Sequence, residues 1–235
     1  TPAFKSAFDK ILCETGRDSL FQGPYLRVGL PFQPGTQGRE FFSQLITEHP
    51  PYLHQQQAWA RLKSPDTKST LVATGTGSGK TECFMYPILD HVLASAGQPG
   101  IKAIILYPMN ALASDQARRF AQEVATNPSC TGKVTVGLYV GGENSPSKSM
   151  TDNSVITDRD TLRSSPPDIL MTNYKMLDYL LIRQKDQALW GDNGAETLKY
   201  LVVDELHSFD GAQGSDLACL IRRVKKRLHT PADHL

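Results

Sequence analysis

Leu71-Val72-Ala73-Thr74-Gly75-Thr76-Gly77-Ser78-Gly79-Lys80-Thr81 decides how this chain is read. A short apolar run, Ser69 to Ala73, predicts a strand. A turn with glycine at alternate positions follows, and Lys80 opens a stretch with helical patterning to Ala94. Glycines let backbone N–H groups come close to a phosphate, and a helix N-terminus adds a dipole of the favourable sign. Lys80 has the reach for the β- and γ-phosphates of a nucleoside triphosphate, and the Thr81 hydroxyl suits Mg²⁺. The residues assigned to the nucleotide are Thr74, Gly75, Thr76, Gly77, Ser78, Gly79, Lys80 and Thr81. The common form of this loop has Gly where this chain has Thr74. A glycine-rich turn that merely contains Gly-Lys-Thr is the bland alternative, and the strand and helix flanks argue against it.

A regular rhythm extends outward from this loop. Helices are predicted at His54–Lys63, Lys80–Ala94, about Ala111–Ala125, about Tyr174–Ile182 and Asp216–Leu228, with apolar strands at Ile101–Tyr107, Val134–Val140, Ile169–Met171 and Tyr200–Val203. Near-continuous apolar strands alternating with helices predict an α/β fold in three layers around a mostly parallel sheet. Ligands of such sheets bind beyond the carboxyl ends of the strands. The polar stretch from Gly141 to Pro167 reads as a long mobile loop, with a short helix possible over Val155–Leu162. Residues 1–50 differ: a short amphipathic helix at Ala3–Cys13, a Gly/Pro-rich irregular run at Phe21–Gly38, and a helix at Arg39–Glu48 stopped by Pro50-Pro51. They are expected to form an accessory layer on the main domain, 51–235.

The second half of the site is Leu201-Val202-Val203-Asp204-Glu205-Leu206-His207, an apolar strand ending in two carboxylates. Asp204 is placed to hold Mg²⁺, through water, and Glu205 to orient or deprotonate an attacking water. Such a pair is often only a solvated loop start; a phosphate loop earlier in the same sheet raises its meaning. Zinc hydrolysis is a rival use of a carboxylate–His pair, but a second His at helical spacing is missing.

Composition sets outer bounds. The chain has 235 residues, 40% hydrophobic and 21% charged, with a net charge of +1. That is an ordinary globular balance with no apolar run long enough for a membrane span and no signal-peptide core at the N-terminus. Near-neutrality counts against an obvious nucleic-acid binder. The one dense basic run, Arg222 to Arg227, reads as the solvated face of a helix, with a nucleic-acid patch as the alternative. The cysteines at 13, 83, 130 and 219 show neither paired nor zinc spacing and are expected to be reduced thiols, which suggests a cytoplasmic protein.

With both motifs in place, the chain resembles the superfamily 2 helicases, and Asp204-Glu205-Leu206-His207 resembles their DExH box. The Thr74 form of the phosphate loop is the one seen in that family. The resemblance implies a RecA-like P-loop domain, ATP and Mg²⁺ as cofactors, and a coupling role for His207 beside Lys80, Asp204 and Glu205. Tyr52-Leu53-His54-Gln55 looks like the Q-motif, 25 residues before Lys80, in which a Gln amide reads adenine. Gln55 fits best, while Gln56 and Gln57 are alternatives. Tyr107-Pro108-Met109-Asn110-Ala111-Leu112-Ala113-Ser114-Asp115-Gln116 resembles motif Ia, Gly141-Gly142 the motif Ib glycines, and Thr172-Asn173 the next backbone-contacting element, in which a Thr hydroxyl meets phosphate. Pro108, Asn110, Ala111, Gly141, Gly142, Thr172 and Asn173 would then touch a nucleic-acid backbone through neutral groups.

With Gly23-Pro24-Tyr25-Leu26 and Thr172 to Leu177 added, the resemblance is to the Lhr-like, RecQ4-like and mitomycin-repair-factor type of DNA helicase. This implies a motor on single-stranded DNA in repair or phage defence. A double-strand translocase, an RNA helicase motor and a nucleotide-dependent scaffold that does no unwinding remain alternatives. The resemblance further implies a second RecA-like domain carrying arginine fingers, absent from these 235 residues. The expectation is weak nucleotide binding and little hydrolysis by the domain alone.

Overall fold

The computed structural model describes residues 2–13, 31–36, 41–47, 49–63, 66–75, 77–142 and 146–235. The expectations for Gly23 to Leu26 and for Thr76 lie outside the described residues. The chain divides into two compact units, Thr1–Phe32 and Gln33–Leu235. In the first, α1 (Pro2–Cys13) stacks the Phe4 and Phe8 rings one turn apart, with centroids 6.0 Å from each other.

The second unit is the predicted α/β fold. Its elements are α2 (Leu53–Leu62), α3 (Lys80–Ala94), β1 (Ala103–Tyr107), α4 (Asn110–Thr126), β2 (Val136–Tyr139), α5 (Arg159–Ser164), β3 (Ile169–Asn173), α6 (Tyr174–Ile182), β4 (Tyr200–Val203) and α7 (Gly211–Arg227). The described strands form one parallel sheet in the order β2-β3-β1-β4. Alternation along each strand splits the core in two. Ala103, Ile105, Tyr107, Ile169 and Met171 face a cluster with α3 and α4, including Ile88, Leu89 and Phe120. Ile104, Leu106 and Leu170 face the opposite cluster with α6 and α7, including Leu177, Leu180, Leu217 and Val224. Both faces of the inner strands are therefore covered, as an all-parallel sheet requires.

Several expectations are corrected. Residues 69–73 form no ladder, and Leu71 is 75% exposed. A strand needs a partner for its N–H and C=O groups, and none of the described strand pairings includes this run. The run is tied instead to α2, where the Arg61 guanidinium donates to the Ser69 carbonyl at 3.0 Å and to Thr70 Oγ1 at 3.1 Å. The predicted helix at 39–48 is likewise absent from the described stretch 41–47. Tertiary partners take over its backbone: Gln44 N donates to Asp90 Oδ1 at 2.7 Å, and Asn127 Nδ2 donates to the Ile46 carbonyl at 3.0 Å. Phe42 and Leu45 enter the core beside Trp59.

The polar stretch after β2 is pinned rather than loose where it is described. Ile156 bridges Gly137 in parallel fashion, Val155 is buried, and the helix falls at Arg159–Ser164, capped by Asp158. Gly137 permits this approach, because a Cβ there would meet Pro167 Cγ at 2.8 Å and would also press on Leu162. The last helix begins at Gly211, earlier than its sequence pattern, since Gly211 and Gly214 disguise its first turn. Its basic run faces solvent: Val224 is buried while Arg222, Arg223, Lys226 and Arg227 are exposed, and Arg223 pairs with Asp178 at 2.7 Å.

Candidate nucleotide site and nucleic-acid face

The phosphate loop enters α3 through Gly77 and Gly79, at φ +75° and +74°. A side chain at either position would strain this left-handed backbone. Gly79 has a second constraint, because a Cβ there would run into the Gln55 amide. Three contacts brace the loop. Thr74 Oγ1 and Ser78 Oγ lie 2.6 Å apart, His54 Nε2 is 2.8 Å from the Ser78 carbonyl, and Gln55 Nε2 donates to the Gly79 carbonyl at 3.1 Å. Since a carbonyl only accepts, His54 Nε2 carries the proton. The Lys80 ammonium lies back over the loop, donating to the Thr74 and Gly75 carbonyls at 3.1 and 3.3 Å.

Gln55 has both ends of its amide engaged. Besides holding Gly79, its Oε1 accepts the Tyr52 N–H at 2.9 Å and so caps α2. Gln56 turns instead to Thr36, accepting its N–H at 2.7 Å, and Gln57 is exposed. Gln55 thus bonds to the phosphate loop through the Gly79 carbonyl. Tyr52, 41% exposed, stacks on His54 with ring planes 13° apart.

Asp204 continues the β4 ladder, its N–H donating to the Leu106 carbonyl at 2.9 Å, and this places it beside the end of β1. Burial pushes the Asp204 carboxyl above the ordinary aspartate range. The Glu205 N–H donating to it opposes this, the Glu205 charge adds to it, and Lys80 and Arg119 pull it back down. Glu205 is one of two described non-glycine residues with positive φ (+50°), a conformation costing about 1–2 kcal/mol, and its N–H caps Asp204 Oδ1 at 2.9 Å. His207 Nδ1 lies 3.2 Å from Glu205 Oε2, and the His207 side chain is 82% exposed.

The oxygen donors fit a divalent cation: a Thr81 hydroxyl would ligate it and an Asp204 carboxylate would hold it through water, with phosphates completing the shell. Mg²⁺ is usually bound this way, through one or two protein ligands rather than a protein cage. Three further side chains that the sequence reading missed converge here. Arg119 and Gln116 of α4 contact Thr81, and Tyr107 lies fully buried with its hydroxyl lacking a hydrogen-bond partner. Burial, with the Asp204 charge next in weight, pushes the Tyr107 phenol well above its ordinary range. Tyr107 and Gln116 stand at the two ends of the stretch that resembles motif Ia, but that resemblance did not point them at Thr81 or Asp204, and Arg119 carried no linear signal.

The predicted nucleic-acid residues gather along the carboxyl ends of β2, β3 and β1. Asn110 is exposed; its Nδ2 donates to the Gly141 carbonyl at 3.2 Å and its Oδ1 accepts from Asn173 Nδ2 at 2.6 Å. Pro108, Ala111 and Gly142 lie on the same rim, Gly142 at φ +86°. Thr172 is a correction. It is 0% exposed and donates its hydroxyl to the Tyr139 carbonyl at 2.6 Å, so this hydroxyl serves the sheet and not a phosphate. Thr172 pairs with Leu106 and Tyr139 on either side, which turns it inward, and Asn173 is the residue that reaches the rim.

A phosphate loop opening a helix, with a carboxylate pair following a parallel strand, defines a RecA-like P-loop domain. The family described as "DEAD/DEAH box helicase" matches residues 52–234, and the chain belongs to that family. The chain is 27% identical to the Druantia protein DruE of Escherichia coli over 93% of its own length and 18% of the relative's. It is 30% identical to an ATP-dependent helicase of Methanocaldococcus jannaschii over 75% of its length and 23% of the relative's. Among solved structures it is similar to the Mycobacterium smegmatis helicase Lhr bound to ssDNA and AMP-PNP. The TM-score is 0.56 and the identity 27%, with 78% of this chain and 22% of that one covered. The chain thus spans about a fifth of the length of these relatives. No helix among the described residues is long and apolar enough to cross a membrane.

Proposed function

We propose that this domain is the ATP-binding motor half of a DNA helicase that tracks single strands, in repair or phage defence. The observation carrying this reading is the juxtaposition of two rows on one sheet edge. Asp204 and Glu205, with Lys80 and Thr81, form one; the neutral rim of Asn110, Asn173 and Gly141 forms the other, at the ends of β1, β3 and β2, which follow β4 in the sheet order. In the first row Lys80 and Thr81 hold the triphosphate and Mg²⁺, Asp204 holds the metal through water, and Glu205 orients or deprotonates the attacking water. His207, whose ring lies 3.2 Å from the Glu205 carboxylate, relays the state of this row. The rim takes a strand's backbone without reading its bases, which suits a nearly neutral domain. Mg²⁺ supplies charge neutralisation at the phosphates when bound.

Residues 51–235 carry the motor motifs, residues 33–50 belong to the same compact unit and lend Phe42 and Leu45 to its core, and a second RecA-like domain completes the ATP site. Support for that complement comes from the half-exposed outer strand β4, the exposed Glu205 and His207, and the length of the relatives. The test is ATP turnover by the full-length protein with single-stranded DNA, duplex DNA and RNA as stimulants. Stimulation at least about tenfold stronger by single-stranded DNA than by RNA is expected, on the scale of about 1.4 kcal/mol per decade. Equal stimulation by RNA sinks the DNA assignment, and none by any polymer sinks the motor.

A further inference from the structure

The Thr81 hydroxyl does not stand alone at the start of α3. It has one proton to give and two lone pairs to offer. The proton goes to Gln116 Oε1 at 3.4 Å, and Arg119 Nη1 donates to the oxygen at 3.2 Å. One lone pair is left free. Gln116 is 8% exposed and its amide has a defined sense, because Arg119 Nη1, which can only donate, also lies 3.3 Å from Oε1. Arg119 is in turn fixed by Glu82 Oε1 at 2.6 Å, which offsets its charge beside the cation site. Gln116 and Arg119 lie one turn apart on α4, and Thr81 and Glu82 are adjacent in the first turn of α3, so the grip is set by two packed helices.

We infer that Gln116 and Arg119 are positioning residues for the divalent cation: Gln116 accepts the Thr81 hydroxyl proton, so that the remaining lone pair faces the metal. This rests on the reading of Thr81 as a Mg²⁺ ligand. A hydroxyl that ligates a cation becomes a stronger donor, and without an acceptor its proton competes with the metal for orientation. Outer partners of this kind contribute about 10–100-fold to metal affinity.

The experiment follows a fluorescent ADP analogue binding to the chain as Mg²⁺ is titrated, with a parallel measurement in EDTA. Gln116→Leu should raise the half-saturating Mg²⁺ by about 10–100-fold and leave metal-free nucleotide binding unchanged. Gln116→Glu keeps an acceptor and should hold the half-saturation within about threefold of the parent or lower it. A rise below about fivefold for Gln116→Leu overturns the inference, as does an equal loss of metal-free binding, which marks a merely structural role. If the Leu variant does not fold, Gln116→Glu decides: a rise above about tenfold overturns the inference, and a value at or below the parent's supports it. Thr81→Ala tests the underlying reading separately. An unchanged Mg²⁺ half-saturation in that variant shows that Thr81 is no ligand, whatever Gln116 does.

Discussion

Asp204 is pulled in opposite directions by stability and by chemistry. Burial raises its folded-state pKa, so the protonated carboxyl suits the fold. That contribution is complete below the ordinary aspartate range and is lost as pH rises through the raised value. Near neutrality the ionised carboxylate therefore weakens the domain, while metal binding needs that same charge. Asp204→Asn should raise the melting temperature at pH 7 without Mg²⁺, because it removes the buried charge. The same variant should lose Mg²⁺-dependent nucleotide binding. In the parent, that binding should fall off on the acid side at a pH above the ordinary value of 3.8. Glu205→Gln, at an exposed position, should leave stability within about 0.5 kcal/mol and lower turnover by about 10²–10⁴-fold. Melting curves of the two variants side by side check both, and a lower melting point for Asp204→Asn refutes the burial argument.

At the scale of elements, the ends of helices carry two jobs at once. Asn173 ends β3, caps α6 by accepting the Met176 N–H at 2.7 Å, and donates to Asn110 across the rim. Asn173→Ala should cost about 1 kcal/mol through the lost cap. Asn173→Asp preserves the cap, since the two residues serve about equally there, but replaces the donor facing Asn110 with a negative charge. It should leave urea stability nearly unchanged and weaken binding of single-stranded DNA, most at low salt. Fluorescence anisotropy at two salt concentrations checks this. Undiminished affinity for the Asp variant removes Asn173 from the nucleic-acid face.

For the molecule as a whole, the segment after Gln33 is structural rather than decorative. Leu45 is 0% exposed, and Phe42 packs on Trp59 with ring centroids 5.1 Å apart. Trp59 in turn donates its indole N–H to the Glu82 carbonyl at 2.9 Å, in the first turn of the phosphate-loop helix. Leu45→Ala should destabilise the main unit by about 2–5 kcal/mol in urea titrations, a core-sized loss. A change within about 0.5 kcal/mol would mean that the segment only rests on a surface.

Periodicity in the chain by itself determined the parallel α/β layering and the placing of Lys80, Thr81, Asp204 and Glu205 at strand and helix ends. Those signals are local: a strand of alternating faces or a helix of 3.6-residue period writes its burial into adjacent residues. Tertiary structure alone decided which groups meet across elements. Gln55 was singled out from its two neighbours by contact with Gly79, Thr172 was turned inward by ladders on both sides, and 41–47 was held out of helix by Asp90 and Asn127. The phosphate loop shows the division most clearly. Its glycines announce a phosphate site in one line of sequence, but Gln116 and Arg119 reach Thr81 from a different helix, and only packing brings them there.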